Sequence, residues 1–249
     1  MPGCQGSRRP TYGDGRRSLR EGDIEADEAL LVLDGVSRSH GERQVLRPLD
    51  LTLAPGEAVA LLGHNGSGKS TLLRLAAGRD QPTTGRVLFA GAPMDEDDPV
   101  VRARVAVVGD ALTCYPDLTV RQHLELVAVG HAVPDGEAAV DAALAAHSLA
   151  ERAGALTAEL SSGQLQELLL AAALLRPREL LLLDEPEQRL DPAARERLAR
   201  AMTERRESGV TLLFATHHRE LARAVADRVL LLDNGNVVAE GTPERVLPS

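Results

Sequence analysis

A glycine-rich segment between two apolar runs constrains the fold of this chain more than any other feature. The segment reads Gly63-His64-Asn65-Gly66-Ser67-Gly68-Lys69-Ser70-Thr71. The apolar run Ala58–Leu62 precedes it, and a helical pattern at residues 70–77, ended by Gly78, follows it. The expected order is therefore buried strand, loop and helix, which is the context that a phosphate-binding loop requires.

The spacing of glycine, lysine and serine in this loop predicts phosphate binding. Glycines let the backbone wrap closely, so that its amides and the following helix N-terminus face an anion. Lys69 is the only lysine among the 28 lysine and arginine residues, and its compact ammonium suits the space between two phosphates. The Ser70 hydroxyl is suited to Mg²⁺. We interpret His64 as a spacer, and the alternative for the whole segment is a glycine-rich turn before an ordinary helix.

Composition limits the classes of protein to which this chain can belong. A length of 249 residues predicts one functional unit with subdomains. The net charge of -9 disfavours a nucleic-acid partner, because phosphate backbones are bound through clustered cations. Two cysteines do not make a disulfide framework, which favours a reducing cytoplasm. The longest apolar stretches fall short of the ~20 residues that cross a bilayer, so a membrane role needs another chain.

The chain divides into a polar tail and an ordered domain. Residues 1–28 are polar and rich in charge, and we predict a disordered tail. It is an inert extension or a wrongly assigned start, and the functional alternative is a docking arm or a membrane-surface contact. Residues 29–249 form the predicted domain, in which helical periodicity at about 111–175 indicates a helical subdomain with Thr119 as a helix N-cap. After it, apolar strands alternate with helices, which predicts an α/β fold with a parallel sheet. Asn234-Gly235 predicts a hairpin turn.

A second element, Leu180–Asp184 followed by Glu185, would deliver two carboxylates to one edge of the sheet. Ligands bind at the carboxyl ends of strands in open parallel sheets. We expect Asp184 to hold Mg²⁺ and Glu185 to act as the general base on an attacking water. Taken alone, the two acids could equally belong to a surface turn.

Three further segments follow the order found in a known family. Leu160-Ser161-Ser162-Gly163-Gln164 resembles the Leu-Ser-Gly-Gly-Gln signature of ATP-binding cassette (ABC) proteins, with Ser162 in place of a glycine. Residues 188–191 resemble the family's loop across the dimer interface, and Thr216-His217 resembles its switch histidine. The resemblance spans about residues 30–245. Locally, Ser161 or Ser162 is also a plausible helix N-cap, and His217 by itself could be a structural histidine.

The resemblance implies a composite ATP site. It implies a phosphate-loop core with a parallel sheet, an N-terminal antiparallel β subdomain and an inserted helical subdomain that carries the signature. The cofactors would be ATP and Mg²⁺, with Glu185 and His217 catalytic and His217 sensing the γ-phosphate. The signature Ser161, Ser162, Gly163 and Gln164 would bind the ATP that the opposite protomer holds.

Two positions depart from the family pattern. Asp110 stands where the family usually has a glutamine; a carboxylate there could bind Mg²⁺, and the alternative is a surface-loop acid. His40 stands where an aromatic residue commonly stacks on adenine; its imidazole stacks less strongly, and the alternative is an exposed loop histidine.

The leading hypothesis is the ATP-hydrolysing subunit of an ABC transporter. Two copies, identical or different, would enclose two ATP molecules and drive a separate membrane permease, from the cytoplasmic face of the cell membrane. The short cassette favours an exporter. One alternative is a non-transport ABC-type ATPase in translation or chromosome maintenance, which the single glycine loop and the absence of a heptad run disfavour. A phosphate-loop kinase or GTPase would lack residues 160–164.

Overall fold

Two β-sheets and the helices packed on them form the architecture in the computed structural model. The structure describes residues 29–109 and 114–248, so the predicted tail and Asp110 lie outside the described residues. The strands within these ranges are β1 (Leu31–His40), β2 (Arg43–Leu53), β3 (Ala58–Leu62), β4 (Thr84–Phe89), β5 (Ala92–Pro93), β6 (Val105–Val108), β7 (Leu180–Asp184), β8 (Thr211–Thr216), β9 (Arg228–Asp233) and β10 (Asn236–Gly241).

Helices occupy most of the connections between these strands. They are α1 (Lys69–Ala76), α2 (Pro99–Arg104), α3 (Val120–Gly130), α4 (Gly136–Ala146), α5 (Ser162–Leu175), α6 (Pro192–Glu207), α7 (Arg219–Val225) and α8 (Pro243–Val246). Among the described helices, none combines the length and the apolar character that a bilayer span requires.

The six-stranded sheet has the order β10-β9-β3-β8-β7-β6 and is parallel except for β10. All five residues of β3 are buried. Val59 and Leu61 belong to the core on the α1 side, whereas Ala58, Ala60 and Leu62 belong to the core on the side of α6 and α7. Both faces of the sheet are therefore covered, which explains the unbroken apolar sequence of β3.

The smaller sheet has the order β2-β1-β4-β5 and is antiparallel throughout. Its apolar residues join the same core as α1 and the α1 face of the large sheet. The predicted α/β fold, with a parallel sheet and an N-terminal antiparallel part, is confirmed. Strand β4 completes the small sheet, although only two of its six residues are fully buried and no motif pointed to it.

Helices α3, α4 and α5 pack around a separate apolar cluster that includes Val120, Leu124, Leu144 and Leu168. Helix α3 begins at a capping box: the Thr119 hydroxyl accepts from the amide of Gln122, 3.2 Å away, as the predicted N-cap requires. The hairpin between β9 and β10 also forms as predicted.

Candidate functional site

The phosphate loop faces a cleft at the carboxyl edge of the parallel sheet. Here the loop that follows β3 meets the ends of β7 and β8, because these strands are parallel and adjacent. The cleft has a volume of about 430 Å³. Its lining residues come from both sheets, from α1 and from the segment after β7: His40, Arg43, Val45, Asn65, Gly66, Gly68, Lys69, Ser70, Thr71, Arg74, Asp184, Glu185 and Gln188.

Two glycines fix the path of the loop. Gly68, just before α1, has φ 108°, and Gly63 has φ 154°. A Cβ on Gly63 would lie 2.4 Å from the Leu232 carbonyl oxygen, which no side chain can tolerate. The amide of Gly235 donates to the Ser67 carbonyl, 3.0 Å away, so the β9–β10 hairpin holds the loop from outside. The loop is therefore set in shape by its neighbours before any ligand arrives.

Lys69 is the first residue of α1, and its side chain is only 4% exposed. Its ammonium donates to the carbonyl oxygens of Gly63 (2.9 Å) and His64 (3.2 Å). Glu185 Oε1 lies 3.9 Å from the same nitrogen. An ammonium satisfied mainly by neutral carbonyls can exchange them for phosphate oxygens, which form stronger, charge-assisted hydrogen bonds.

His64 faces away from the cleft. Its Nε2 lies 2.9 Å from Asp233 Oδ1 and its Nδ1 lies 2.7 Å from the Asn65 carbonyl. The Asn65 carbonyl, and secondarily Asp233, raise the pKa of this imidazole. Gly63 and Ser67 likewise shape the loop without lining the cavity. These three predicted binding residues therefore act on the loop's geometry, and His64 ties the loop to the end of β9.

Glu185 follows β7 and stands between three polar groups. Its amide donates to the Ala215 carbonyl at 2.9 Å, and its φ of 46° is left-handed. The side-chain amide of Gln188 donates from Nε2 to Glu185 Oε2 at 2.9 Å, and His217 Nδ1 lies 3.8 Å from that same oxygen. With Lys69 near its other oxygen, the carboxylate is held at the wall of the cleft between an ammonium, an amide and an imidazole.

Glu187 was not singled out by the sequence, yet it is the most buried acid near the site. Its side chain is 1% exposed, and its Oε1 accepts a hydrogen bond from the Thr216 hydroxyl. His217 Nδ1 lies 3.8 Å from Glu187 Oε1. A third acid after a strand carries no spacing signal of its own, because only the adjacency of β7 and β8 brings it to Thr216 and His217.

Residues 161–164 form the first turn of α5. The Ser161 hydroxyl accepts from the Gln164 amide at 3.3 Å, while Gln164 Oε1 accepts from the Ser161 amide at 3.0 Å. Ser161 and Ser162 are exposed. A Cβ on Gly163 would lie 2.9 Å from the Arg189 carbonyl, so this turn packs closely on residues 188–191. Within the described ranges, none of residues 161–164 lines the cleft that holds Lys69.

The remaining predicted residues divide between the cleft and the undescribed part of the chain. His40 ends β1, is exposed, and lines the cleft beside Arg43, a cation that the sequence did not single out. Ser70 and Asp184 line the same cavity as Lys69. Hydroxyl and carboxylate oxygens are ligands that Mg²⁺ prefers, so these two residues fit that ion.

Comparison with known proteins agrees with this geometry. The family model described as "ABC transporter" matches residues 46–188, a range that holds the glycine loop, residues 160–164 and β7. The Nod factor export ATP-binding protein I of Paraburkholderia xenovorans (strain LB400) is 36% identical over 89% of this chain and 74% of its own length. The aliphatic sulfonates import ATP-binding protein SsuB of Pseudomonas putida is 39% identical over 88% of this chain and 78% of its own length.

A solved structure extends the comparison to three dimensions. A dimeric ATP-binding cassette in a post-hydrolysis state, bound to ADP and Pi, superposes with a TM-score of 0.76 at 26% identity. The superposition covers 86% of this chain and 98% of that one.

Proposed function

The chain belongs to the ABC transporter family as an ATP-binding, ATP-hydrolysing subunit, and from this premise we propose that two copies enclose two ATP molecules and drive a membrane permease. The observation that carries the proposal is that two groups of predicted ATP-binding residues lie at different places in the chain's structure. Lys69 and Glu185 meet across one cleft, whereas residues 161–164 expose a capped helix start that does not line it.

In the proposed reaction, the loop amides and Lys69 bind the terminal phosphates of ATP. Glu185 accepts a proton from water as the water oxygen bonds to the γ-phosphorus. The bond from that phosphorus to the β,γ-bridging oxygen breaks, and ADP and phosphate leave. His217 donates a hydrogen bond to the γ-phosphate and holds Glu185 in line. Mg²⁺ held by Ser70 and Asp184 would neutralise charge that develops on the phosphate oxygens.

The exposed signature turn supplies the second half of each site. Ser162 is exposed at the start of α5, where the capping box uses the amides of Ser161 and Gln164. A helix N-terminus favours a bound anion. Because Gly163 packs on the Arg189 carbonyl, the turn and residues 188–191 would move together when a second protomer closes. Each ATP would thus be held by the loop of one protomer and the signature of the other.

The permease would carry the cargo and place this subunit on the cytoplasmic face of the membrane, where ATP is supplied. Relatives named for export and for import match the chain at similar identity, 36% and 39%. The length of the cassette, on which the expectation of export rests, therefore does not distinguish the two directions.

Replacing Glu185 tests the composite site directly. In Glu185→Gln, hydrolysis should stop while ATP binding persists, so that ATP converts monomer into dimer on size exclusion with light scattering. The matched control, Glu207→Gln at the exposed end of α6, should hydrolyse ATP and show no trapped dimer. A Glu185→Gln chain that stays monomeric at saturating ATP would contradict the sandwich, and copurification of a polytopic membrane protein would support the permease.

A further inference from the structure

Three potential metal ligands lie together beyond the ends of β7 and β8. They are Glu187, His217 and His218, and their ligand atoms all lie within 4.8 Å of one another. The two imidazole rings have centroids 4.4 Å apart and are tilted by 40°. A metal with bonds of about 2.0–2.2 Å to nitrogen and oxygen would draw the three ligand atoms closer together through rotation of their side chains.

Two hydrogen bonds of Thr216 hold the cluster in place. The Thr216 hydroxyl, at the end of β8, donates to Glu187 Oε1 and accepts from the His218 amide at 2.9 Å. Thr216 therefore sets both the carboxylate and the turn that carries the two histidines. Hydrogen bonds to a ligating carboxylate are a usual feature of metal sites, because they orient the ligand.

The carboxylate of Glu187 is incompletely satisfied. Its side chain is 1% exposed, and its second oxygen, Oε2, has no hydrogen-bond partner among the residues that the structure describes. Burying an ionised carboxylate is costly unless a cation or hydrogen bonds compensate it. A metal cation bound by the two neighbouring histidines would supply that compensation.

The ligand types identify the class of metal. Two imidazoles and one carboxylate suit zinc and its transition-metal neighbours, whereas Mg²⁺ prefers oxygen ligands alone. The cluster is therefore chemically different from the Ser70 and Asp184 pair in the nucleotide cleft.

An open path leads to the cluster. Glu187 and His218 line a cavity of about 430 Å³ between α6 and α7. Arg195 also lines it, but its Nε donates to the Leu190 carbonyl at 3.1 Å, away from the carboxylate. A hydrated ion can enter from this side without passing through the nucleotide cleft.

We propose that Glu187, His217 and His218 bind one divalent transition metal of the zinc class. The metal engages His217 through Nδ1, the nitrogen that lies 3.8 Å from both Glu185 and Glu187. A consequence follows that rests on the proposed function, in which His217 binds the γ-phosphate of ATP. A metal bound to His217 keeps its imidazole from the phosphate and inhibits hydrolysis.

Metal binding is measured first, without nucleotide, because ATP itself binds zinc. Zn²⁺ is titrated by calorimetry into the full chain, and Co²⁺ is used to record the visible spectrum of the site. The wild type should bind one Zn²⁺ at this site. With Co²⁺ it should give the visible absorption of a cobalt ion that has a low coordination number. His218→Ala and Glu187→Gln should each weaken binding roughly tenfold or more. Glu187→Gln keeps an oxygen that accepts from Thr216, so it tests the ligand with little change in packing.

His131→Ala, which removes a histidine at the end of α3, is the matched control and should bind Zn²⁺ like the wild type. Zn²⁺ binding of equal strength in the wild type, His218→Ala and Glu187→Gln would overturn the site. So would loss of binding in His131→Ala alone.

The second arm measures ATP hydrolysis in excess Mg²⁺ with and without added Zn²⁺. Zn²⁺ should inhibit the wild type and spare His218→Ala. Inhibition of equal extent in both would overturn the inhibitory role, even with the binding site confirmed. A wild type that hydrolyses no ATP would count against the proposed function, and the nucleotide-free binding result would still decide the metal site.

Discussion

The nucleotide cleft and the helical region around α3, α4 and α5 differ in what they bury. The cleft buries charge: Lys69 is 4% exposed and stands 3.9 Å from Glu185 in a shape fixed by glycines. The helical region buries apolar side chains and leaves its functional turn, residues 161–164, exposed and capped by its own Ser161 and Gln164. One region gathers its charged groups within the chain, and the other presents a surface that, in the proposed dimer, would contact the ATP of the partner protomer.

Because of this difference, substitutions in the two regions should affect different measured properties. Changes in the cleft should alter ATP binding, its hydrolysis or both. Changes at the signature turn should alter hydrolysis only, and changes in the helical interior should alter stability.

The largest expected effect comes from Lys69→Arg. The guanidinium keeps the positive charge but is wider than the ammonium that donates to the Gly63 and His64 carbonyls. It therefore does not fit the position from which Lys69 would bind phosphate oxygens. Hydrolysis, measured by phosphate release, should fall roughly 100- to 1,000-fold. The control Arg86→Lys, an exposed change on β4, should retain activity. Wild-type hydrolysis in Lys69→Arg would remove the assignment of this lysine.

Cys114 tests the apolar interior of the helical region, against which it packs. Burial raises the pKa of its thiol from 9.0 to about 11, so the neutral thiol persists until the pH approaches that value. At about pH 8 the fraction of Cys114 present as thiolate is roughly 100-fold lower in the folded chain than in an unfolded chain, where the thiol has its ordinary pKa. In a Cys4→Ser chain, alkylation should therefore be slower by that factor when folded than in denaturant. Equal rates would show that Cys114 is not buried.

An ion pair between a buried carboxylate and a partly exposed guanidinium joins the helical region to the core. Glu167 on α5, 8% exposed, accepts from Arg197 on α6 at 2.8 Å and lies 2.7 Å from His147 Nδ1. Arg197→Ala leaves one carboxylate oxygen without its donor and should lower the free energy of unfolding by about 2 kcal/mol in chemical denaturation. Arg200→Ala breaks only an exposed pair on the same helix and should change little. Equal losses in both would argue against a special role for Glu167.

The smallest expected effect concerns Gly163. A methyl group there would lie 2.9 Å from the Arg189 carbonyl and displace the signature turn. Gly163→Ala should reduce hydrolysis roughly tenfold, because small displacements at a reacting site cost rate. ATP affinity of the isolated chain should not change. Gly154→Ala, where nothing lies within 4 Å, is the control. Weakened ATP binding in Gly163→Ala would mean that the two regions are not separate.

Local sequence signals predicted the parts of the fold that local forces control. The run Ala58–Leu62, the glycine loop and α1 follow from periodicity and backbone freedom within about twenty residues. Thr119 and Asn234-Gly235 were recognisable because caps and turns depend on side chains close in sequence. Strand β4 and the six-residue α2 were not, since one is mostly exposed and the other is too short for a helical period.

The candidate site divides in the same way. Lys69, Asp184, Glu185 and His217 follow strands that deliver them to one edge of a parallel sheet, so motif order was enough to predict their meeting. Glu187 and the outward orientation of His64 depend on contacts between segments far apart in the chain: Thr216 with Glu187, and His64 with Asp233. No spacing rule contains those pairings.

The sequence by itself predicted a phosphate-binding loop within an α/β core, because glycine backbone freedom and the strand–loop–helix order are local properties of the chain. ATP followed from the resemblance of residues 160–164 and 216–217 to the ABC family. Only the tertiary structure decided which groups are buried against which. The parallel pairing of β7 and β8 brings Glu187 next to His217 and His218, and the position of α5 leaves residues 161–164 outside the set of described residues that line the cleft with Lys69. Burial and proximity are properties of neighbours in space, and they set the charge that each group can carry.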